Sequence, residues 1–160
     1  MSRTEKVAIG GMLETKGLML VKVLGVRRGP GVAGLTLSTL GGHGINILCV
    51  VSSADSNNRE NLTLAINKSD LDQALGLMQS IKEEIEAERI ECTRNCCVIS
   101  LYGPHFSERP SIAGLMFDAL AEGGIDIHAI STSVSTVSCI IDESDLLKAR
   151  EQLSGAFLMP

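Results

Sequence analysis

From Leu18 to Val26 the chain is an apolar, β-branched-rich run broken by a single charge, Lys22, and this predicts a β-strand. The run stops at Arg27-Arg28-Gly29-Pro30-Gly31. Proline cannot donate to a strand ladder, yet it is accepted in the first turn of a helix. The helix that follows is expected to bury Val32, Leu35 and Leu40, and a later segment repeats the pattern with Ile112, Leu115, Met116, Ala119 and Leu120 on one stripe. Gly41-Gly42-His43-Gly44 and Glu122-Gly123-Gly124 supply the left-handed residues that end helices. Ile45-Asn46-Ile47 and Ile125-Asp126-Ile127 then open new strands, and Leu62, Leu64 and Ile66 alternate with Asn61, Thr63 and Ala65 as a half-buried strand does. Ser69 and Ser144, each followed by an aspartate, are expected helix N-caps. A second helix places Leu71, Ala74, Leu75, Met78, Ile81 and Ile85 on one face.

The two sets of elements are copies of one another. A shift of 80 residues aligns Pro30–Ile47 with Pro110–Ile127, and eight of those 18 positions are identical. A shift of 75 then aligns the stretch from Leu62 to Leu71 with that from Val137 to Leu146. The first copy therefore carries five extra residues, which fall in its polar loop between Ser52 and Arg59. Each copy reads β-α-β-β-α with a further strand expected at the end, the order of an α+β ferredoxin-like fold with an antiparallel sheet and helices on one face. The copies are placed at residues 1–90 and 91–160, with the N-terminal strand available to pair with the second. Edge strands seek partners, so pseudo-twofold pairing and a homodimer are expected.

Composition narrows the function classes. Aromatic residues make up 2% of the 160 residues, so the core is aliphatic and the stacking side chains used on single-stranded nucleic acid are missing. A net charge of −5 argues against a phosphate-backbone partner. No apolar run approaches the roughly 20 residues of a membrane span, and the first residues lack a signal-peptide core, which points to a cytoplasmic protein. Five cysteines read as reduced, small hydrophobes; Cys92, Cys96 and Cys97 lack the paired spacing of a metal site.

The strand, the Pro-Gly-Val-Ala turn, the helix and Gly44-Ile45-Asn46-Ile47 resemble the ACT domain. The second copy, with Arg109-Pro110-Ser111-Ile112-Ala113, Gly124-Ile125-Asp126-Ile127 and Ile130-Ser131-Thr132-Ser133, is similar to the regulatory half of aspartokinases. The resemblance covers nearly the whole chain. It implies two βαββαβ ACT domains that bind a pathway amino acid, lysine or threonine, in the turn between first strand and first helix, at a junction between ACT domains. Carried onto this sequence, the ligand-binding positions are Arg28, Gly29, Pro30, Gly31, Val32, Ala33, Asn46, Ile47 and Ser52 in the first copy. In the second they are Ser107, Arg109, Pro110, Ser111, Ile112, Ala113, Asp126, Ile127 and Ser131. Free amides at a helix start suit a carboxylate, and Asn46 or Asp126 is the expected partner of the α-ammonium. Arg27-Arg28 stands where the family often has an acid, and Ser52 where it often has glutamine.

No catalytic apparatus is expected. There is no phosphate-binding loop, and Gly41–Gly44 follows a helix where a nucleotide fingerprint follows a strand. His43, His105 and His128 have no partner at triad or metal-ligand spacing, and Glu83, Glu84, Glu86 and Glu88 read as a solvated helix end. The expectation is an amino-acid sensor without cofactor or metal that acts on an aspartokinase catalytic chain. The alternative is an ACT-type dimerisation module that docks on a kinase without binding ligand.

Overall fold

The computed structural model describes residues 6–104 and 106–160. They form strands β1 (Val7–Ala8), β2 (Gly11–Val26), β3 (Ile47–Ala54), β4 (Glu60–Asn67), β5 (Arg89–Tyr102), β6 (Ala129–Thr132), β7 (Thr136–Asp142) and β8 (Phe157–Leu158). The helices are α1 (Val32–Gly42), α2 (Leu71–Ile81), α3 (Ser111–Glu122) and α4 (Leu146–Ala156). These elements divide into two compact units: Gly17–Cys96, the first module, and Cys97–Pro160 joined by the described residues up to Lys16, the second.

In the first module the strands lie in the order β3-β4-β2-β5, with β4 antiparallel to both β2 and β3. Strand side chains alternate between faces. Met19, Val21 and Val23 of β2 and Leu62, Leu64 and Ile66 of β4 therefore share one face, and they pack against Val32, Leu40, Leu71, Ala74 and Met78 of α1 and α2. Ile85 and Ala87, beyond α2, are buried in the same core, while Glu83, Glu84, Glu86 and Glu88 around them are exposed. Glu86 and Glu88 also hold Arg27 and Arg59 at 3.3 and 3.7 Å. The extra residues of the first copy lengthen its β3–β4 hairpin. The Asp55 carboxylate accepts the Asn57 and Arg59 amides at 2.8 and 2.9 Å, and Asn58 takes φ 59° to close the turn.

The second module has the order β6-β7-β5-β2, its share of β2 being residues 11–16. Cys97, Ile99 and Leu101 of β5 and Val137, Cys139 and Ile141 of β7 meet Ile112, Met116, Leu120, Leu146, Ala149 and Leu153 of α3 and α4. The closing strand expected at the end of this copy is only the two-residue β8, which pairs in parallel with β1 through Val7↔Phe157 and Ala8↔Leu158. The place beside β5 is filled from the N-terminus instead, and the Gly10 amide donates to the Tyr102 carbonyl at 2.7 Å. The units divide at Lys16/Gly17 and Cys96/Cys97, while the sequence placed the copies at residues 1–90 and 91–160 with the N-terminal strand available to the second. The reason is that β2 and β5 are each long enough, at 16 and 14 residues, to supply a strand to both modules.

Ser69 and Ser144 are not N-caps. Each sits inside a short 3-10 turn, and the capping positions of α2 and α4 are Asp70 and Asp145, without a side-chain capping bond. Gly44 and Gly124 adopt φ 77° and 64° where α1 and α3 end, the backbone that glycine reaches without Cβ strain.

Arg150 on α4 grips Glu14 of β2 with two donors, Nε at 2.8 Å and Nη2 at 2.7 Å. The Arg150 hydrogen bond and charge hold the Glu14 carboxyl below its usual range. A carboxyl depressed in the folded state adds stability that is present above the ordinary glutamate range and is lost as pH falls through the folded value. Glu14→Gln should therefore lower the melting temperature at neutral pH and shrink the gap to wild type in acid, as a thermal melt followed across pH will show.

The described cysteines are free thiols. Burial first, and neighbouring Cys97 second, push the Cys139 thiol up to about 12, which leaves it an inert core residue. Among the described residues no helix is long and apolar enough to cross a membrane.

Candidate functional site

In the first module β2 ends at Val26 and the chain turns through 27–31 into α1. Gly31 takes φ 90° and ψ −18° at the capping position, and its carbonyl accepts the Leu35 amide at 2.8 Å, the first bond of the helix. No side chain caps this end and no acidic residue lies in its first turn. Helix starts leave amides unsatisfied and carry partial positive charge, so this one is open to an anion. Arg28 and Pro30 are exposed, Gly29 and Ala33 are half-buried, and Val32 is in the core. The two arginines are tied down outside the turn: Arg28 donates to the Asn58 side chain of the hairpin, and Arg27 pairs with Glu86.

The register separates the other expected residues from this turn. Ile47, half-buried at the start of β3, faces Ile66, which in turn faces Met19; Val26 faces Glu60 at the opposite end of β4. Seven residue steps of β2 separate those levels, roughly 23 Å at the rise of a strand. Asn46 is exposed just before β3, at the far end from Gly31. It therefore cannot hold the ammonium of an amino acid whose carboxylate sits on the α1 amides of its own module. Ser52, facing Leu62, lies nearer the turn, and its hydroxyl is given to the Glu60 carboxylate.

The second module repeats this arrangement with a longer turn. After β5 the chain passes Gly103 and Pro104 to a short 3-10 turn, Phe106–Glu108, then Arg109 and the capping Pro110. The α3 start also lacks a side-chain cap and an acidic residue in its first turn. Arg109, Pro110 and Ser111 are exposed, Ala113 is half-buried and Ile112 is buried; the Ser107 side chain lies outside the described residues, as does His105. Asp126 and Ile127 again fall at the other end of the sheet. His128 beside them donates its amide to Ile140, while the turn end is marked by the Gly103 amide on Ser135. Ser131, exposed on β6, faces Ser138 between these levels. His128 has a partner that spacing along the chain did not reveal, the Asp142 carboxylate 2.8 Å from Nε2.

A cavity of about 230 Å³ opens at this second turn. Ile9, Gly10, Pro104, Phe106, Arg109 and Ile112 are among its walls. Of these, the sequence reading singled out Arg109 and Ile112. The N-terminal strand was expected to be available to the second copy, but Ile9 and Gly10 were not among the expected site residues. Phe106, buried against Gly103, had one available signal: it is one of only three phenylalanines in the chain.

Comparison with known proteins bears on the family and the fold. An ACT domain model matches residues 99–157. The aspartokinase of Bacillus sp. (strain MGA3) is 31% identical over 120 residues, which cover 75% of this chain and 29% of that protein. A crystal structure of aspartokinase alpha and beta subunits aligns with a TM-score of 0.85 and 28% identity, over 93% of this chain and 98% of the matched one. The aspartate kinase of Synechocystis aligns with a TM-score of 0.89 and 28% identity, over 95% of this chain and 27% of that one. This chain thus spans less than a third of the length of the MGA3 relative. The chain is a tandem pair of ACT domains resembling the regulatory, C-terminal region of aspartokinases.

Proposed function

We infer that this chain senses a small amino acid, lysine or threonine, and passes its occupancy to an aspartokinase catalytic chain in the cytoplasm. The observation that carries the reading is the pair of turns that open α1 and α3, which stand at matching positions in the two copies. Neither helix has an acid in its own first turn or a side-chain cap, although the 3-10 turn ahead of α3 ends in Glu108. Such ends suit an external carboxylate.

Each module supplies the carboxylate donors at one end of its sheet and carries Asn46 or Asp126 at the other. A zwitterion bound on the turn needs a group from a further ACT domain for its ammonium, and a second copy of the chain can provide it. The edge strands β3 and β6 suit such pairing, since Leu48 and Val50 on one and Ile130 on the other are exposed. A homodimer with ligand at its ACT–ACT junction follows, and ligand that favours one arrangement of the pair shifts the receiving chain by population.

The test is a thermal melt in the presence of each of the twenty amino acids. Lysine or threonine at a hundred times its Kd should stabilise by about 2.7 kcal/mol. A dimer that no amino acid shifts would turn the reading toward a dimerisation module that docks without ligand.

A further inference from the structure

The longer β3–β4 hairpin of the first copy directs its polar residues at the approach to α1. The β2–β4 ladder shifts register between Val23 and Val26, and buried Gly25 lies inside that break. Buried peptide groups need partners, and hairpin side chains supply them here. The Gly25 amide donates to Asn61 Oδ1 at 2.9 Å, and its carbonyl accepts Arg59 Nε at 2.7 Å. The Arg59 side chain, 28% exposed, also donates from Nη2 to the Glu86 carbonyl and faces the Glu88 carboxylate at 3.7 Å. Two residues beyond Gly25, the Arg27 amide donates to the Ile85 carbonyl at 3.0 Å, and Arg28 donates to the Asn58 side chain at the hairpin tip. Asn58 is a carboxamide, so it orients Arg28 without neutralising it. The second copy has Ser107 and Glu108 in place of the two arginines, and its hairpin loop, Ser133-Val134-Ser135, has neither asparagine nor arginine.

We propose that this hairpin is a clasp on the turn that opens α1: Arg59 pins the hairpin to the end of β2, and the Arg28–Asn58 bond closes its tip onto the turn. Exposed ion pairs contribute little one by one. The coupling comes from Arg59, which holds backbone carbonyls of two separate segments and is the chain neighbour of Asn58. A change in the turn then reaches the hairpin, and a change in the hairpin reaches the turn, since coupling between two sites is reciprocal. The two copies differ in this: the first turn is tied to its hairpin through these residues, and the second copy lacks them. The consequence for function rests on the regulatory reading above. A carboxylate on the α1 amides acts through the hairpin on β3, the edge strand whose exposed Leu48 and Val50 suit pairing.

Amide hydrogen exchange of the full chain, followed by NMR without added amino acid, tests the clasp. Arg28→Ala should speed exchange at Asp55 and Asn58, in the hairpin, whose amides are bonded to Arg59 and Asp55. Asn58→Gly should speed it at Arg27 and Leu35, on either side of the turn. Each effect should be about two- to fivefold, the loss of one hydrogen bond at an exposed position. Glycine accepts the φ of 59° at position 58, so this variant keeps the hairpin backbone. The double variant should go no further than the single ones, because both remove the same bond. Asn58→Asp keeps the acceptor and should leave Arg27 and Leu35 as slow as in wild type. Effects confined to the substituted segment, or additive in the double variant, overturn the proposal. Lysine and threonine are then added to the wild-type chain. Binding that slows Asp55 and Asn58 along with the turn supports the clasp, and binding that leaves the hairpin unchanged overturns it. If neither amino acid binds and the cross effects persist, the clasp stands and the regulatory reading falls.

Discussion

Removal of residues 1–16 is expected to unfold the second module while leaving the first folded. The deleted segment carries β1, which pairs with β8, and the part of β2 assigned to the second module. It also carries Ile9, 8% exposed in that module's core, half-buried Met12 packed beside it, and Glu14 with its two bonds from Arg150. Burial of Ile9 alone is worth roughly 1.5–3 kcal/mol. Each lost hydrogen bond adds about 1 kcal/mol. Together these losses approach the roughly 5 kcal/mol at the low end of domain stability. Amide exchange followed by NMR should show protection lost along β5 beyond Cys96, β7, α3 and α4, and retained in β4 and α2. Uniform protection across both modules would contradict the division of the chain at Lys16 and Cys97.

Phe157→Ala is the point substitution with the largest expected effect. Phe157 ends α4 by turning to φ −115° and ψ 152°, and it is 1% exposed in the second core. The same residue pairs with Val7 in the β1–β8 ladder. Truncation leaves a cavity where an aliphatic core has one of its few aromatic rings, and large-to-small changes of this kind cost about 3–5 kcal/mol. Urea denaturation should show the second module unfolding at lower denaturant than the first. A loss below about 1 kcal/mol would mean that the C-terminal segment is not a fixed part of the core.

Much of this architecture was legible in the chain. The shift of 75 residues maps α2 onto α4 at both ends and the 3-10 turn Lys68–Asp70 onto Glu143–Asp145. The shift of 80 places α1 over α3 to within a residue. These segments are legible because their apolar residues keep a 3.6-residue period over three turns. The first half of β2 was not. Gly11-Met-Leu-Glu-Thr-Lys-Gly17 carries two charges and a glycine at each end, and Leu13 is 59% exposed, so no alternation signals a strand there. It becomes a strand because β5 offers it a partner, a tertiary effect that local propensity does not contain.

The candidate site was legible to the same depth. The turns into α1 and α3 were found from Pro30 and Pro110, since proline after a strand marks a helix start. The distance from those turns to Asn46 and Asp126 depends on register, which is set by pairing far along the chain: Ile47 against Ile66, Val26 against Glu60. Ser69 and Ser144 misled for a related reason. A 3-10 turn delays each helix by one residue, and the capping position passes to the aspartate.

The central claim is that the uncapped starts of α1 and α3 receive an amino-acid carboxylate. Backbone amide NMR during titration with lysine and threonine tests it most directly. Saturable shifts centred on Val32, Ala33 and Gly34, with or without matching shifts at Ile112, Ala113 and Gly114, are the predicted result. Amides that stay still at both turns, or that move only at the starts of α2 and α4, would contradict it.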